Sequence, residues 1–287
     1  MLSVSGLRQR FATYRKTKIK MLEKFSLYKG KLILYFDDGS HIYQVNGKQV
    51  YGVTNIVRII DKPALRYWAV NKAIEYIGAN LKAGVSLDEI QIKNLLNEAK
   101  IAHTKSTTGA ADLGSLIHEW IEKFLKAGLS KQPLPKKPIN KEMKNAIEGF
   151  LDWSKQHKVK FISSERKIYS RKHKYAGTLD AEAVVDGKAT IIDFKTGNAL
   201  YPESFLQAAA YLSAREEEDK TACEGGIKII RLAKGDKEKA ITPFEVKEVA
   251  RKEIPNLLKV FLACQKVYSW QMANKTNGNG NNHSKNL

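Results

Sequence analysis

Two carboxylates and a lysine stand close together in this sequence: Asp180, then Asp193 and Lys195 with Phe194 between them. The apolar run Ala189-Thr190-Ile191-Ile192 leads into Asp193 and reads as a buried strand. Gly177-Thr178-Leu179 leads into Asp180, and Val184-Val185-Asp186-Gly187-Lys188 reads as a strand end and a tight turn. The pattern is strand, turn, strand, with one carboxylate on each strand. Residues i and i+2 of a strand share a face, so Asp193 and Lys195 point the same way, and a hairpin can bring Asp180 beside them. Two carboxylates and an ammonium at one spot suit a divalent cation held next to a phosphate. An Asp-x-Lys triplet by itself is commonly a solvated ion pair of little energetic weight, so its neighbours decide what it means.

Those neighbours must be positioned by other elements. His118 falls on a helix expected over Thr107–Ala127, whose apolar face carries Leu113, Leu116, Ile117, Trp120, Ile121 and Phe124. A lone helical histidine is usually a satisfied core or boundary residue. Glu165 lies in the strand ahead of Asp180. Gln207 and Tyr211 stand at i, i+4 on a helix opened by Pro202 and Glu203, hence on one face. That pair alone is equally consistent with an ordinary amphipathic helix.

The rest of the chain gives the frame. Met1–Lys29 is basic and mixed in pattern, a helix or a loosely held arm. Lys31–Tyr35, His41–Val45 and Lys48–Tyr51 form a small strand meander with turns at Asp37–Ser40 and Asn46-Gly47. Helices are expected from Val53-Thr54-Asn55 with Thr54 or Asn55 as cap, from Pro63 to about Asn80, and from a Ser86/Glu89 capping box to about Ala99. Another runs over Lys141–His157. Strands follow at Phe161–Tyr169, Thr178–Val185 and Ala189–Phe194, then the Pro202 helix through Leu212. Strands at Gly226–Leu232 and Ala240–Val246 and a long helix over Lys247–Met272 complete the order. Asn274–Leu287, rich in Asn and Gly, reads as disordered. The fold class is α/β (α+β), a mixed central sheet flanked by helices. The expected division is a basic arm at 1–30, a hairpin and helical region at 31–106, a core at 107–272 and a tail at 273–287.

Composition narrows the function. The 287 residues carry a net charge of +19, with a pI near 9.7. So large an excess repels itself and makes physical sense opposite a polyanion such as DNA. The basic residues gather in runs, among them Arg166-Lys167 and Arg171-Lys172-His173-Lys174. Cys223 and Cys264 are too few for a disulfide framework, a four-ligand zinc site or an iron–sulfur cluster. No stretch approaches the roughly 18 apolar residues of a membrane span. A reducing cytoplasmic compartment is expected, in a bacterium or a phage-infected host; a mitochondrial presequence is the less favoured reading of the N-terminus.

Taken together, Gly114…His118, Glu165, Gly177-Thr178-Leu179-Asp180, Asp193-Phe194-Lys195 and Gln207-Ala208-Ala209-Ala210-Tyr211 resemble the PD-(D/E)xK nuclease superfamily, in its RecB-like exonuclease branch. The likeness covers Thr107 to Arg231. The front segment Tyr51-Gly52-Val53-Thr54…Asp61-Lys62-Pro63-Ala64-Leu65…Trp68-Ala69 looks like the lead-in of phage-type and mitochondrial-type members. Leu179 replaces the proline before the first aspartate. The resemblance implies a restriction-endonuclease-like core and a Mg²⁺- or Mn²⁺-dependent DNA exonuclease acting on single strands or ends in replication, recombination or repair, with a recombination or replication protein as a further partner. It implies metal ligation by His118, Asp180, Asp193 and the Phe194 carbonyl, with Lys195 orienting the attacking water. Glu165 would hold a second metal or its water, and Gln207 and Tyr211 would orient Lys195 or touch the DNA backbone. Arg166, Lys167, Arg171, Lys172 and Lys174, which flank the Asp180 strand, are then expected to line the DNA approach. Tyr67, Trp68 and Tyr76 could stack on a strand. Rival readings are an inactive DNA-binding or assembly module on a nuclease fold, and a sequence-specific endonuclease.

Overall fold

A computed structural model describes residues 22–197, 199–233 and 242–278. The chain opens with an antiparallel meander, β1 (Glu23–Leu27), β2 (Leu32–Asp37), β3 (Ile42–Val45) and β4 (Lys48–Gly52). Three helices follow: α1 (Val53–Val57), α2 (Pro63–Asn80) and α3 (Glu89–Leu129). Next come α4 (Lys141–Gln156), β5 (Lys160–Ser170), β6 (Tyr175–Val185), β7 (Lys188–Lys195) and α5 (Pro202–Asp219). β8 (Ile227–Leu232), β9 (Phe244–Val249), a 3₁₀ turn at Arg251–Glu253 and α6 (Ile254–Gly278) close the order. The expected succession of helices, three strands, a helix, two strands and a helix is present.

The nine strands form one mixed sheet, ordered β1-β2-β3-β4-β6-β7-β8-β9 with β5 on β6. β4–β6 and β7–β8 are parallel and the other pairs antiparallel. The sheet forks along β6. β4 pairs with its first residues, Tyr51↔Tyr175 and Gly52↔Ala176. β7 pairs with its last, from Ala181↔Ile192 to Val185↔Lys188. Between them, positions 177–180 have a strand neighbour only in β5.

Alternation along the strands feeds two apolar layers. On one face Ile168, Tyr175, Leu179, Ile191 and Ile229 pack against α1, α5 and α6. On the other, Ala181, Ala183, Val185, Ile192, Phe194 and Ile230 pack against α4 and the second half of α3. The meander closes its own small cluster over Tyr169 and Ala176.

Several boundaries differ from expectation. Residues 1–21 lie outside the described residues, but Glu23–Leu27, read as part of a basic arm, is a strand registered against β2. The helices expected at 86–99 and 107–127 are one helix, so the division at 106/107 falls inside α3. Its capping box is Asp88 and Gln91, not Ser86 and Glu89: the Asp88 carboxylate accepts the Gln91 N–H at 2.8 Å, and the Gln91 side chain accepts the Asp88 N–H at 2.9 Å. α1 starts from Gly52 without a side-chain cap, so neither Thr54 nor Asn55 caps it. Lys247–Val249, read as the start of the last helix, belongs to β9, where Val249 registers with Ile227. Pro255 then enters the first turn of α6, where its missing N–H costs nothing. The start of the strand expected at Ala240 lies outside the described residues. So does tail segment 279–287, whereas 274–278 continues α6. Among the described residues no helix is long and apolar enough to cross a membrane.

Candidate active site

Asp180 occupies the fork. One step past the last paired residues, Ala181↔Ile192, it lies opposite Asp193. Here β7 has ceased to make ladder bonds to β6, and the Phe194 N–H donates to Asp180 Oδ2 at 2.8 Å. The side-chain alternation of β6 slips at this point. Leu179 packs in the α5/α6 layer while Ala181, two residues on, packs in the α3/α4 layer. A regular strand would put both on one face. Across on β5, Glu165 stands between the pairs Ser164↔Ala181 and Arg166↔Leu179 with a φ of 53°. A left-handed glutamate inside a strand stores strain on the order of 1 kcal/mol or more.

Asp193 is fully buried. Its Oδ2 lies 2.6 Å from Lys195 Nζ, and neither oxygen accepts any other hydrogen bond among the described residues. Burial pushes the Asp193 carboxyl up to about 6, against the pull of Lys195 and with the push of Asp180. Burial raises Asp180 too, opposed by Lys195 and the Phe194 N–H. For Lys195, burial would lower the pKa, but Asp193 and Asp180 outweigh it and the group ends above the ordinary lysine value. Lys195 is thus an ammonium paired with the Asp193 carboxyl, not a lysine poised to take a proton.

α3 brings His118 to the same cavity, where burial and then Lys195 hold its pKa below the usual value, so the imidazole is neutral. Gly114, one turn earlier, makes this approach possible. A Cβ there would stand 2.7 Å from Thr196 Oγ1, just past Lys195. α5 supplies the other wall. Gln207 Nε2 donates to the Tyr211 hydroxyl at 2.8 Å, and Tyr211, raised well above its ordinary pKa by burial and by Asp180 and Asp193, stays a phenol. Gly177 leaves room for that ring: a Cβ would fall 2.5 Å from Tyr211 Cε1. The glycines of the two motifs therefore set how closely α3 and α5 approach the acids. Glu165 is pushed up to about 7 by burial and then by Asp180, so it feels the site, but it does not line the cavity.

The cavity has a volume of about 810 Å³ and is lined by His118, Asp180, Phe194, Lys195 and Gln207. Arg58, Lys62 and Arg66, from α1 and the start of α2, also line it. None of these three was given a role from the sequence, and only Lys62 was named, within the front segment of the resemblance. Their only signal was position in the segment that leads into α2. Lys62 is ion-paired with Glu203, and Arg66 with Asp61. Arg58 is exposed and has no side-chain partner among the described residues.

The five basic residues expected to line a DNA path are elsewhere. The Arg166 guanidinium donates to both Asp219 oxygens at 2.6 and 2.8 Å and lies 3.3 Å from Glu182 and 3.2 Å from Glu218. It is a structural cation with its charge already matched. Lys167 stands over the rings of Phe36 and Phe25, at 4.5 and 5.6 Å, and burial lowers its pKa. Arg171 covers the Tyr28 ring at 5.2 Å, while Lys172 and Lys174 are exposed. These last three belong to the turn between β5 and β6. Five strand residues, about 17 Å, separate the end of that turn from Asp180. None of the five lines the cavity. Trp68 packs edge-on against His103 instead of presenting a stacking face, whereas Tyr67 is exposed.

Two carboxylates, one with both oxygens buried and unmatched except by an ammonium, are a hard oxygen donor set. It fits Mg²⁺, which takes one or two protein carboxylates and otherwise waters and phosphate. Phe194, whose N–H bonds Asp180, also lines the cavity. No group of three or more His, Cys, Asp or Glu side chains is gathered for a metal among the described residues. His118 therefore faces the cavity without completing a preformed cage.

No protein-family model matches the chain, and no curated protein does. One solved structure it is similar to, the crystal structure of SSO0001, aligns over 72% of this chain and 86% of its own, at 13% identity and a TM-score of 0.30. A likeness at that level carries no argument about function.

Proposed function

We propose that this protein is a metal-dependent nuclease that hydrolyses phosphodiester bonds of DNA, acting as an exonuclease on single strands or ends. The observation that carries the reading is the buried Asp193 carboxylate, matched only by Lys195 and placed opposite Asp180 in a fork of the sheet. A folded protein leaves a buried carboxylate with a single partner only at a cost, and such groups concentrate where a ligand completes them.

Asp180, Asp193 and the Phe194 carbonyl would hold Mg²⁺ or Mn²⁺, and His118, which lines the same cavity, would be the further ligand. When bound, the cation supplies charge neutralisation at the phosphate and a more acidic water. Lys195 contributes a fixed positive charge two residues from Asp193 that stabilises negative charge developing on phosphate oxygens. Gln207 lines the cavity, and its amide donates to the hydroxyl of Tyr211, which burial keeps protonated behind it. Arg58, exposed and without a side-chain partner among the described residues, gives the cavity a cation for the strand being cut, whereas Lys62 and Arg66 are already matched by Glu203 and Asp61. The slip at Asp180 and the strained Glu165 concentrate irregular backbone where the chemistry would occur, as functional sites commonly do.

The test is release of nucleotides from end-labelled linear single-stranded DNA with Mn²⁺, against circular DNA and chelator controls. Asp193→Ala and Lys195→Ala should abolish release while leaving DNA binding intact. Undiminished release by either variant refutes the assignment.

A further inference from the structure

A second cavity, of about 560 Å³, lies between the C-terminal turns of α3, the end of α4 and the start of β5. That volume is within the range of pockets that take small molecules. It shares no lining residue with the candidate active site. Its α3 wall runs from Phe124 to Leu129, six to eleven residues beyond His118, or about 9–16 Å along the helix.

The segment after α3 keeps the space open. α3 ends at Leu129, and Lys131 turns the chain with a φ of 54°. Pro133, Pro135 and Pro138 hold the following residues extended. The Trp120 indole N–H donates to the Lys136 carbonyl at 2.8 Å and pins the segment to α3. The segment therefore spans the gap instead of collapsing into it.

The wall combines two chemistries. Phe124 and Leu129 of α3, Leu134 of the linker, Leu151 of α4 and Phe161 of β5 are apolar, and Leu129 and Leu134 remain 39% and 56% exposed. The charged lining residues are Lys131 and Lys155, both exposed and without an ion-pair partner among the described residues. Among the described residues no acid lines the cavity. The Ser154 hydroxyl, in the same wall, is buried without a hydrogen-bond partner. Such a group is a donor left over for a ligand oxygen.

Charge and polarity select the occupant. Residues 124–161 hold nine Lys against three Asp and Glu, a net +6, so an anion is drawn here and the basic residues 1–21 are repelled. A nucleic acid would bring a phosphate at every step to a mostly apolar wall. A peptide strand would bring a main-chain amide at every residue, and the wall has one hydroxyl and two ammoniums to meet them. One anionic group on an apolar body matches every part of the wall.

We propose that this cavity binds a small carboxylate with an apolar body. The body lies against Phe124, Leu134, Leu151 and Phe161, and the carboxylate meets Lys131 and Lys155.

Calorimetric titration of the full chain with decanoate tests this. Saturable binding is expected, with affinity rising about fourfold per methylene from hexanoate to decanoate as each is buried. Decylamine should bind at least about tenfold more weakly than decanoate, because its charge has the wrong sign. Lys131→Glu and Lys155→Glu should each weaken decanoate by at least about tenfold and leave octanol, which carries no charge, within about twofold. Gly128 lines the cavity with nothing within 4 Å of its Cβ position, so Gly128→Met fills the space and should remove binding of both without lowering the thermal unfolding midpoint. Decanoate binding weaker than about 5 mM overturns the proposal. So does equal binding of decylamine, binding unchanged in both lysine variants or in Gly128→Met, or displacement of decanoate by a short oligothymidylate.

Discussion

Replacing Gly177 by alanine probes the joint between the candidate site and its scaffold. The added Cβ would lie 2.5 Å from Tyr211 Cε1, 3.2 Å from Cδ1 and 3.4 Å from Val53 Cγ2. Carbon atoms prefer about 3.5–4.0 Å, so the ring must retreat by about 1 Å. It has little room to move: Tyr211 is 3% exposed, and Val53, the other neighbour of that Cβ, is fully buried. Overpacking of this kind costs about 1–3 kcal/mol, and the immobile neighbours place this case near 3. For a domain of this size that lowers Tm by about 6–12 °C. Thermal unfolding followed by circular dichroism measures it. Gly128→Ala is the control, because that helical glycine has nothing within 4 Å of its Cβ position and alanine there should stabilise by up to about 1 kcal/mol. Reducing the ring in Gly177→Ala/Tyr211→Leu should recover part of the loss, so the two changes would combine less than additively. If Gly177→Ala unfolds within about 0.5 kcal/mol of wild type, the close approach is not what fixes Tyr211 over the acids.

Two further outcomes follow from the charges. The hydrogen bonds from Arg166 hold Asp219 below the usual carboxylate range, so its contribution to stability is full above the unfolded value of about 3.9 and is lost as pH falls through the folded one. Urea midpoints of wild type and Asp219→Asn should therefore differ above about pH 5 and converge on acidification; a difference that does not shrink contradicts the assignment. Arg58→Ala should weaken DNA binding and reduce its salt slope by about 1, whereas Lys172→Ala on the distant turn should change neither; equal effects would return the DNA path to the β5–β6 turn.

Much of this fold is written locally. α2 begins at Pro63 and ends at Asn80 as its sequence indicates, and β5, β6 and β7 fall within a few residues of their expected bounds. Period-2 runs separated by Asp186-Gly187 leave little choice there. The pairing of Asp193 with Lys195 is likewise fixed by their i, i+2 spacing. What escaped the sequence is non-local. The parallel pairing of β4 with β6 joins residues more than a hundred apart, and without it no fork exists to expose positions 177–180. Arg166 reads as a free cation until the fold brings Asp219, Glu182 and Glu218 to it. Arg58 and Arg66 become cavity residues only because α1 turns the chain back over α5. β1 was hidden because its residues, Glu23 to Leu27, follow a basic run whose charge masked the strand pattern.

The central claim is that Asp180 and Asp193 form a divalent-cation site. Calorimetric titration of the full chain with Mn²⁺ addresses it without reference to turnover. Binding should be saturable, removed by Asp193→Asn and preserved by Asp219→Asn. Binding by Asp193→Asn equal to that of the wild-type chain would contradict it.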